Sequence, residues 1–228
     1  MDVMDHMDDM DNQNPLIPKH GGYRKLKSFQ VAQLVYDITV RFCERYVSTR
    51  SHTNDQMVQA ARSGVQNIAE GSQASGTSKK SELKLTNVAR ASLEELRLDY
   101  EDFLRQRNLP KWDAFDPRNA DLIARRPKTA EDFAKWAKDI HAKNTTIDKK
   151  DSSITTNQSI PSIPSIKSMP SIKSPTYPEI TANGALALIT VACSLLDRQL
   201  NAQSKSFLAE GGFTERLHKT RSQSRKYP

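Results

Sequence analysis

The chain has 228 residues, a hydrophobic fraction of 36% and a formal net charge of +7. This length fits one domain with a long appendage or two small domains. The N-terminus lacks a basic stretch followed by an apolar core, which argues against a signal peptide. The longest apolar run, residues 184–196, is shorter than the roughly 20 residues that a membrane-spanning helix needs. We therefore predict a cytoplasmic protein that does not enter a membrane.

The side chains that usually ligate metals are too scattered to form a site. The five histidines share no ligand spacing, and Cys43 and Cys193 lie far apart within apolar patterns. Two such cysteines are typical of reduced thiols in a protein core. We predict no metal, no cofactor and no catalytic residue. An enzyme is disfavoured because active sites usually present a recognisable constellation of residues.

Charge is distributed unevenly along the chain. Residues 1–15 hold five aspartates and no lysine or arginine, so the remaining residues carry a net +12. Residues 19–50 contribute +5 and residues 211–228 contribute +4. Such clusters attract polyanions, because each phosphate that a cation neutralises releases a counterion. The distribution predicts a nucleic acid or another polyanion as the partner, and the alternative is a basic surface that serves only solubility.

Apolar residues recur at three- and four-residue steps over three consecutive stretches, which indicates amphipathic helices. They occupy residues 23–110, with helices predicted at 26–47, 55–70 and 78–107. Asn54 or Thr53 is expected to cap the second helix, and Gly71 is expected to end it in a left-handed conformation. Residues 1–22, which precede the helices, are acidic and repetitive and are predicted to be disordered.

After residue 110 the pattern changes. Residues 111–182 are interpreted as an insertion with one short helix at 130–142 and a Ser/Ile/Pro-rich linker. The triplets "SIP SIP SIK SMP SIK" at 159–173 would align their apolar residues in a polyproline-II helix, as a plain spacer or as a docking strip. Helical spacing returns at 183–210, and the basic tail at 211–228 is predicted to be disordered.

Three amphipathic helices need a fourth to cover their apolar faces. The stretch at 130–142 is short and charged, whereas 183–210 is long and apolar. We therefore predict an all-α fold, an antiparallel up-and-down four-helix bundle with a long insertion before the last helix. This prediction requires Leu188, Leu195 and Leu196 to lie in the same core as the helices before the insertion.

The stretch "GSQASGTSKK" before the third helix approaches a phosphate-binding loop but lacks two of its requirements. Such a loop follows a β-strand and places a lysine directly after its second glycine. Here a helix precedes the stretch, and Thr77 occupies the lysine position. We interpret it as the junction of two helices, the second capped by Ser75, Thr77 or Ser78. Lys79 and Lys80 are then either anion-binding residues at a helix N-terminus or ordinary surface lysines.

Two segments resemble a known bacterial family, namely "QAARSGVQNIAEGS" at 59–72 and "SKKSELKLTNVARASLEELR" at 78–97. Over about 26–109 the chain is similar to the four-helix-bundle family of ribosomal-RNA intervening-sequence proteins, which includes the accessory variability determinants of diversity-generating retroelements. The long insertion and the detached last helix resemble the suffix-domain subset of that family. The matching positions are Arg62, Ser63, Asn67, Ile68, Ala69, Glu70 and Gly71, then Ser78, Glu82, Ala89, Ser92, Leu93 and Glu95.

The resemblance implies an antiparallel four-helix bundle whose protomers associate side by side, commonly as a pentamer. It implies no catalytic activity. In relatives from retroelements, the ring of protomers is basic and resembles an accessory protein that binds RNA and also binds a reverse transcriptase. An accessory role beside a reverse transcriptase is therefore one expectation for this chain.

Glu70 lies in the last turn of the predicted second helix, where the helix dipole disfavours a carboxylate. It should therefore have a cationic partner, either Arg62 two turns earlier or a cation of a neighbouring helix or protomer, such as Arg90. We predict a structural clamp rather than a catalytic acid. Arg62, Asn67, Glu70 and Gly71 together form the predicted structural motif.

These features predict a non-enzymatic, oligomeric protein that binds RNA or DNA through basic surfaces. Few exposed aromatic residues accompany the cations, so contacts should be mainly to the phosphate backbone and weakly sequence-specific. A protein–protein interaction scaffold is the alternative, with the Ser-Ile-Pro triplets and the outer side of the third helix as its contacts. The predicted nucleic-acid-binding residues are Lys19, Arg24, Lys25, Lys27, Arg41, Arg45, Lys79, Lys80, Arg216, Lys219, Arg221, Arg225 and Lys226.

Overall fold

The computed structural model describes residues 20–151 and 175–225. Within these ranges the chain is all-α and contains no strand. A single 3₁₀ turn at Tyr23–Lys25 precedes seven α-helices. They are α1 (Lys27–Tyr46), α2 (His52–Ala74), α3 (Lys79–Gln106), α4 (Pro117–Arg125), α5 (Ala130–Asp151), α6 (Tyr177–Glu210) and α7 (Phe213–Ser224).

Several sequence-based predictions fall outside the described residues. These are the predictions for the acidic N-terminal segment up to residue 19, for the Ser-Ile-Pro triplets at 159–173, and for Lys19 and Lys226 as nucleic-acid contacts.

The first three helices lie where the apolar periodicity predicts them, with shifted ends. α1 and α3 agree with the predicted limits to within one residue at each end. α2 is longer than predicted at both ends, and its N-cap is Ser51 rather than Thr53 or Asn54. The Ser51 hydroxyl accepts a hydrogen bond from the Thr53 backbone N–H, which satisfies one of the free donors of the first turn. Ser78, one of the predicted alternatives, caps α3 by accepting from the Ser81 N–H at 3.1 Å.

Gly71 lies inside α2 and does not end it, so the expected left-handed cap is wrong. The residue faces α3 instead. A Cβ added at Gly71 would lie 3.3 Å from the Glu82 carbonyl oxygen and 3.4 Å from the Leu85 Cβ. The missing side chain therefore allows the two helix backbones to approach closely. The small residue was recognised in the sequence, but its role is packing rather than chain reversal.

α1, α2, α3 and α6 share one hydrophobic core. α1 packs against α2 and α6, and α3 packs against the same two helices. Leu188 and Leu196 of α6 are buried in this core together with Ile68 and Leu96, as the prediction requires. Leu195 is half-buried. The apolar faces of the first three helices are therefore covered by the helix that follows the insertion.

The first half of α6 is buried all round, unlike an amphipathic helix. Every residue from 182 to 189 is buried, whereas beyond that stretch Thr190, Ser194 and Arg198 are exposed. A helix that is apolar on all sides must be covered on all sides. Because α6 contacts α1, α3, α4 and α5, these four helices together provide the cover.

The described part of the predicted insertion packs onto α6. α4 was not predicted, and α5 extends well beyond the expected short helix at 130–142. Leu122 of α4 and the aromatic residues Phe133 and Trp136 of α5 are buried. α6 itself begins at Tyr177, earlier than the predicted start at residue 183. In the added first turn of α6, the Tyr177 ring stacks on His141 of α5.

Buried polar residues of α6 hold the chain that follows α3. The Asn183 Oδ1 accepts the Trp112 backbone N–H at 2.8 Å, and the Asn183 Nδ2 donates to the Pro110 carbonyl at 3.0 Å. The Trp112 Nε1 donates to the Glu179 Oε1 at 3.2 Å. The Arg118 guanidinium lies 3.7 Å from the centroid of the Trp112 ring. Since buried polar groups must be satisfied, these bonds define one position for the segment.

α6 also has the length and composition of a membrane-crossing helix. It spans 34 residues, so the argument from the short 184–196 run underestimated it. Its most apolar 18-residue window has a mean hydropathy of 1.6, and 67% of that window is buried. The buried part of the window packs against neighbouring helices of the fold.

The C-terminal tail is helical in its described part. α7 occupies residues 213–224, so the prediction of a disordered tail is wrong there. α7 carries Lys219 and Arg221 on exposed positions, and Arg225 follows its end.

Gly184 tests how closely α5 packs against α6. A Cβ at this position would lie 2.6 Å from the Trp136 Cζ3 and 2.8 Å from the Phe133 Cε2. The substitution Gly184→Ala should lower the free energy of unfolding by about 1–2 kcal/mol. Overpacking costs about 1–3 kcal/mol, and the better helix propensity of alanine offsets up to about 1 kcal/mol. Urea unfolding followed by circular dichroism measures the change.

The matched control is Gly22→Ala. Gly22 has a φ of −78° and no atom within 4 Å of an added Cβ. Its substitution should leave the free energy of unfolding within about 0.5 kcal/mol of wild type. Equal effects at both positions would contradict the close packing of α5 on α6.

Candidate nucleic-acid interface

One end of the fold brings together parts of the chain that are distant in sequence. The Gly21 N–H, just before α1, donates to the carbonyl of Ser72 near the end of α2 at 3.0 Å. At the start of α1, the Ser28 hydroxyl donates to the Gln199 Oε1 of α6 at 2.7 Å. The beginnings of α1 and α3 therefore meet the ends of α2 and α6.

The start of α3 is fixed at this end by two contacts with α6. The Lys79 Nζ donates to the Ser206 hydroxyl at 2.5 Å, and the Gln203 Nε2 donates to the Glu82 Oε1 at 2.9 Å. We call this region the basic end, because it gathers five of the predicted nucleic-acid-binding cations from two separate parts of the chain. These are Arg24, Lys25, Lys27, Lys79 and Lys80.

The side chains of the basic end differ in how firmly they are held. The Arg24 guanidinium lies 5.0 Å from the Tyr23 ring centroid, and the Lys27 Nζ donates to the Gln30 Oε1 at 3.0 Å. Lys25 and Lys80 are exposed. No carboxylate among the described residues forms an ion pair with any of these four cations. Their charge is therefore available to an external anion.

Helix dipoles contribute little to the sign of the potential at the basic end. α1 and α3 begin there and present the positive ends of their dipoles, whereas α2 and α6 end there and present negative ends. These opposite contributions largely cancel, so the lysine and arginine side chains decide the sign. Lys205 of α6 is exposed beside Ser206 and adds to the positive charge, although the sequence reasoning did not single it out.

The predicted cations of the tail lie on and after α7, which continues from the end of α6. Arg216, Lys219 and Arg221 belong to α7, and Arg225 follows it. A turn at Gly211 and Gly212 separates the two helices, and the Gly212 N–H donates to a side-chain oxygen of Glu215. The chain thus brings these cations to the same end of α6 as Lys79.

Arg41 and Arg45 do not belong to the basic end. Arg41 forms an ion pair with Glu131 of α5, and its hydrogen bond lowers the pKa of the Glu131 carboxyl. Arg41 thus has an intramolecular partner that joins α1 to α5, and its assignment as a phosphate contact stays a prediction. Arg45 is exposed and lies further along the same helix.

Half of the predicted structural motif is engaged in packing. The Asn67 Nδ2 donates to the Ser63 carbonyl at 2.9 Å and to the Ser63 hydroxyl at 3.1 Å. The Ser63 and Ser92 hydroxyls lie 2.9 Å apart and join α2 to α3. Together with the close approach at Gly71, these contacts make this side of α2 a helix–helix interface.

Among the described residues of this chain, the predicted clamp at Glu70 is not formed. Glu70 and Arg62 are both exposed, and neither makes an ion pair with any described residue. The other candidate partner, Arg90, binds Asp197 of α6 through a 2.5 Å hydrogen bond from its Nε. α2 continues past Glu70 by a full turn, so the carboxylate is further from the negative helix end than predicted and needs no partner.

A second group of cations was missed in the sequence. Arg125, Arg126 and Lys128 form the stretch "ARRPK" where α4 ends, and Lys135 follows on α5. With Trp136 they line a cleft of about 380 Å³. The run of three cations within four residues was the available signal, but the surrounding segment had been interpreted as an appendage.

The two cysteines are core residues, as predicted. Burial raises the pKa of the Cys43 and Cys193 thiols to about 12. Since the thiolate is the reactive form, both side chains are chemically inert at neutral pH. No group of three or more His, Cys, Asp or Glu residues in the described ranges is arranged to hold a metal ion.

Comparison of the chain with protein-family models, with curated proteins and with solved structures finds no match. The resemblance stated above therefore stays a prediction, and the function is argued from the geometry of this chain.

Glu82 gives the basic end a measurable pH dependence. Burial raises the pKa of its carboxyl above the usual 4.5, against the opposing effects of the Gln203 hydrogen bond and the Lys79 charge. The folded state therefore binds more protons than the unfolded state, and stability falls as the pH rises from 4.5 through the raised pKa. The free energy of unfolding of wild type minus that of Glu82→Gln should decrease from about pH 4 to pH 7.

Asp116→Asn is the matched control, measured by urea unfolding at the same pH values. The hydrogen bond from Arg118 lowers the pKa of Asp116, so its contribution is present above the usual 3.8 and is lost as the pH falls. The difference between wild type and this variant should fall as the pH is lowered. A Glu82→Gln difference that follows the Asp116 pattern would contradict the burial of Glu82.

Proposed function

We propose that α1, α2, α3 and α6 form an antiparallel up-and-down four-helix bundle. The packing of α1 and α3 against both α2 and α6 supports this arrangement. The contacts of Ser28 with Gln199 and of Lys79 with Ser206 support opposite directions for α6 and the two helices that begin at this end. The bundle is the scaffold that fixes the basic end.

We further propose that the protein is a non-enzymatic nucleic-acid-binding protein, with the basic end as its contact surface. The observation that carries this proposal is the convergence of four exposed cations that form no ion pair within the described residues. They are Arg24, Lys25 and Lys27 at the start of α1 and Lys80 at the start of α3. Cations held together on a rigid scaffold neutralise several phosphates at once and release their counterions. A single flexible basic segment would have to be ordered on binding, at a cost in conformational entropy.

The composition of the basic end favours contacts to the phosphate backbone. The described aromatic residues at this end, Tyr23, Phe29 and Phe207, are half-buried rather than exposed. The Tyr23 ring packs against Phe29 and lies beneath the Arg24 guanidinium. Without exposed aromatic platforms, stacking on unpaired bases contributes little. Binding should therefore depend on the charge and shape of a structured RNA or DNA more than on its base sequence.

The test replaces three cations that form no ion pair among the described residues, through Lys25→Ala, Lys27→Ala and Lys80→Ala. The affinity for a hairpin RNA should fall at least about tenfold at moderate salt, because up to three phosphate contacts are lost. The slope of log affinity against log salt concentration should become shallower by about 2–3. Filter binding over a range of salt concentrations measures both quantities.

The matched control removes the same charge elsewhere, through Arg50→Ala, Arg105→Ala and Lys138→Ala. These exposed residues lie after α1, near the end of α3 and on α5, away from the basic end. Their loss should change the affinity much less than the loss at the basic end. Equal effects of the two triple variants would contradict a localised interface, and a flat salt response in wild type would contradict nucleic-acid binding.

We propose that protomers associate side by side through the outer face of α3, as the resemblance implies for a pentamer. Val88 and Leu98 are 36% and 62% exposed on this face, which is otherwise charged. Covering these side chains removes apolar surface from water and supports association. An oligomer also carries one basic end on each protomer. Several linked basic ends bind a polyanion more tightly than one does.

Light scattering tests the association. Wild type should have a mass that is a multiple of the 25.7 kDa chain, and Leu98→Glu should shift it toward one chain by placing charge in the contact. Leu208→Glu is the matched control, because Leu208 is 84% exposed on α6 and should tolerate the change. A multimer that binds no RNA at any salt concentration would support the scaffold alternative instead.

A further inference from the structure

A cleft between the end of α4 and the start of α5 has features that the fold does not require. It has a volume of about 380 Å³, within the range of small-molecule sites in proteins. Its lining includes the carboxylate of Asp132 and the cations Arg125, Arg126, Lys128 and Lys135. The apolar side chains of the lining, Leu122, Pro127 and Trp136, are called its floor. The lining therefore combines a net positive charge with an apolar part.

The indole N–H of Trp136 is a buried donor without an acceptor. Trp136 is fully buried, and its Nε1 has no hydrogen-bond partner within the described residues. The Cζ3 corner of the indole is the part closest to Gly184 of α6. The Nε1 belongs to the five-membered ring, at the other side of the indole from Cζ3, and Trp136 is among the residues that line the cleft. A ligand oxygen that entered the cleft deeply would supply the missing acceptor, and unsatisfied buried donors of this kind call for such an explanation.

Two cations of the cleft have no carboxylate partner among the described residues. Arg126 ends α4 in the left-handed conformation, with a φ of 48°, which is uncommon for a residue other than glycine. Neither Arg126 nor Lys128 forms an ion pair with any described residue, and both side chains are exposed. Their charges are therefore available to an anion in the cleft.

The carboxylates around the cleft already have partners. Arg125 donates to Asp139 at 2.6 Å and pairs with Asp121 at 3.1 Å. Asp132 accepts the backbone N–H groups of Lys128 and Thr129 at 3.2 Å, and these bonds lower the pKa of its carboxyl. Lys135 lies 4.0 Å from Asp132. Asp132 thus shapes the loop before α5, and Arg126 and Lys128 give the cleft its excess of positive charge.

We propose that this cleft binds the phosphate monoester group of a small organic molecule. The planar guanidinium of Arg126 and the ammonium of Lys128 suit a doubly charged phosphate better than a single carboxylate. The apolar floor contacts the organic part of the ligand, and the volume exceeds what inorganic phosphate alone needs. The Trp136 N–H donates to a ligand oxygen at the bottom of the cleft.

The site is separate from the basic end. Gly184, which contacts Trp136, and Gln203, at the basic end, are 19 residues apart on α6, which corresponds to about 28 Å along a helix. The proposal therefore does not depend on nucleic-acid binding, and each can fail without the other.

Nuclear magnetic resonance of the ¹⁵N-labelled full chain tests the proposal through its two indole N–H signals. Adenosine monophosphate, as the probe, should shift the Trp136 signal in a saturable way. The Trp112 signal should not move, because the Trp112 N–H already donates to Glu179. Adenosine without phosphate should leave both signals unchanged. An unmoved Trp136 signal, or an equal shift with adenosine or with chloride, overturns the proposal.

Substitutions identify the groups that bind. Arg126→Asn with Lys128→Ala should weaken adenosine monophosphate binding at least about tenfold by calorimetry, since charge-assisted hydrogen bonds are lost. Asparagine is chosen because it tolerates the left-handed conformation. Lys138→Ala, an exposed α5 residue outside the cleft, is the matched control and should bind like wild type. Equal weakening by both variants overturns the assignment of the site.

Trp136→Phe removes the N–H and keeps an aromatic ring, so it should also weaken binding at least about tenfold. If it does not fold, the wild-type titration still decides the question. A 5′-phosphorylated oligonucleotide serves as a further arm. Binding of the oligonucleotide without binding of adenosine monophosphate overturns the small-molecule proposal in favour of a nucleic-acid end.

Discussion

The structure depends on the burial of one helix. Residues 182–189 of α6 are buried on every side, so this stretch is stable in water only where neighbouring helices surround it. α1 and α3 bring the apolar faces of the first three helices against it, and α4 and α5 cover what these leave open. Asn183 and Glu179 are polar exceptions in this part of α6, and both side chains accept hydrogen bonds from Trp112 in the segment after α3.

The two candidate sites follow from the position of α6. Its second half is amphipathic and reaches the starts of α1 and α3, where Gln199 and Ser206 receive their hydrogen bonds. That docking gathers the cations of the basic end. Its first half requires the cover of α4 and α5, and the short connection between these two helices forms the cleft with Arg126 and Lys128. A single core helix thus positions the basic end at one of its ends and the cleft near the other.

The outcome for individual side chains depended on partners that no sequence pattern reveals. In the sequence, three charged residues have no evident partner nearby, namely Arg41, Lys79 and Glu70. In the structure, Arg41 binds Glu131 and Lys79 binds Ser206, whereas Glu70 has no ion pair among the described residues. Arg90 was one of the alternative partners predicted for Glu70 of α2, but it binds Asp197 on α6. These partners are 90 to 127 residues away in the sequence, so the direction in which each helix faces decides them.

The sequence alone determined the all-α class, the limits of α1 and α3 and the burial of Leu188 and Leu196, because helical periodicity and capping are local properties of the chain. It also indicated the cationic character of the starts of α1 and α3. The tertiary structure decided that Gly71 packs rather than caps, and that the segment after Trp112 covers α6. It also decided which cations form no ion pair within the described residues. These features depend on contacts between distant residues, and a contact forms only when the shapes and charges of two elements are brought together.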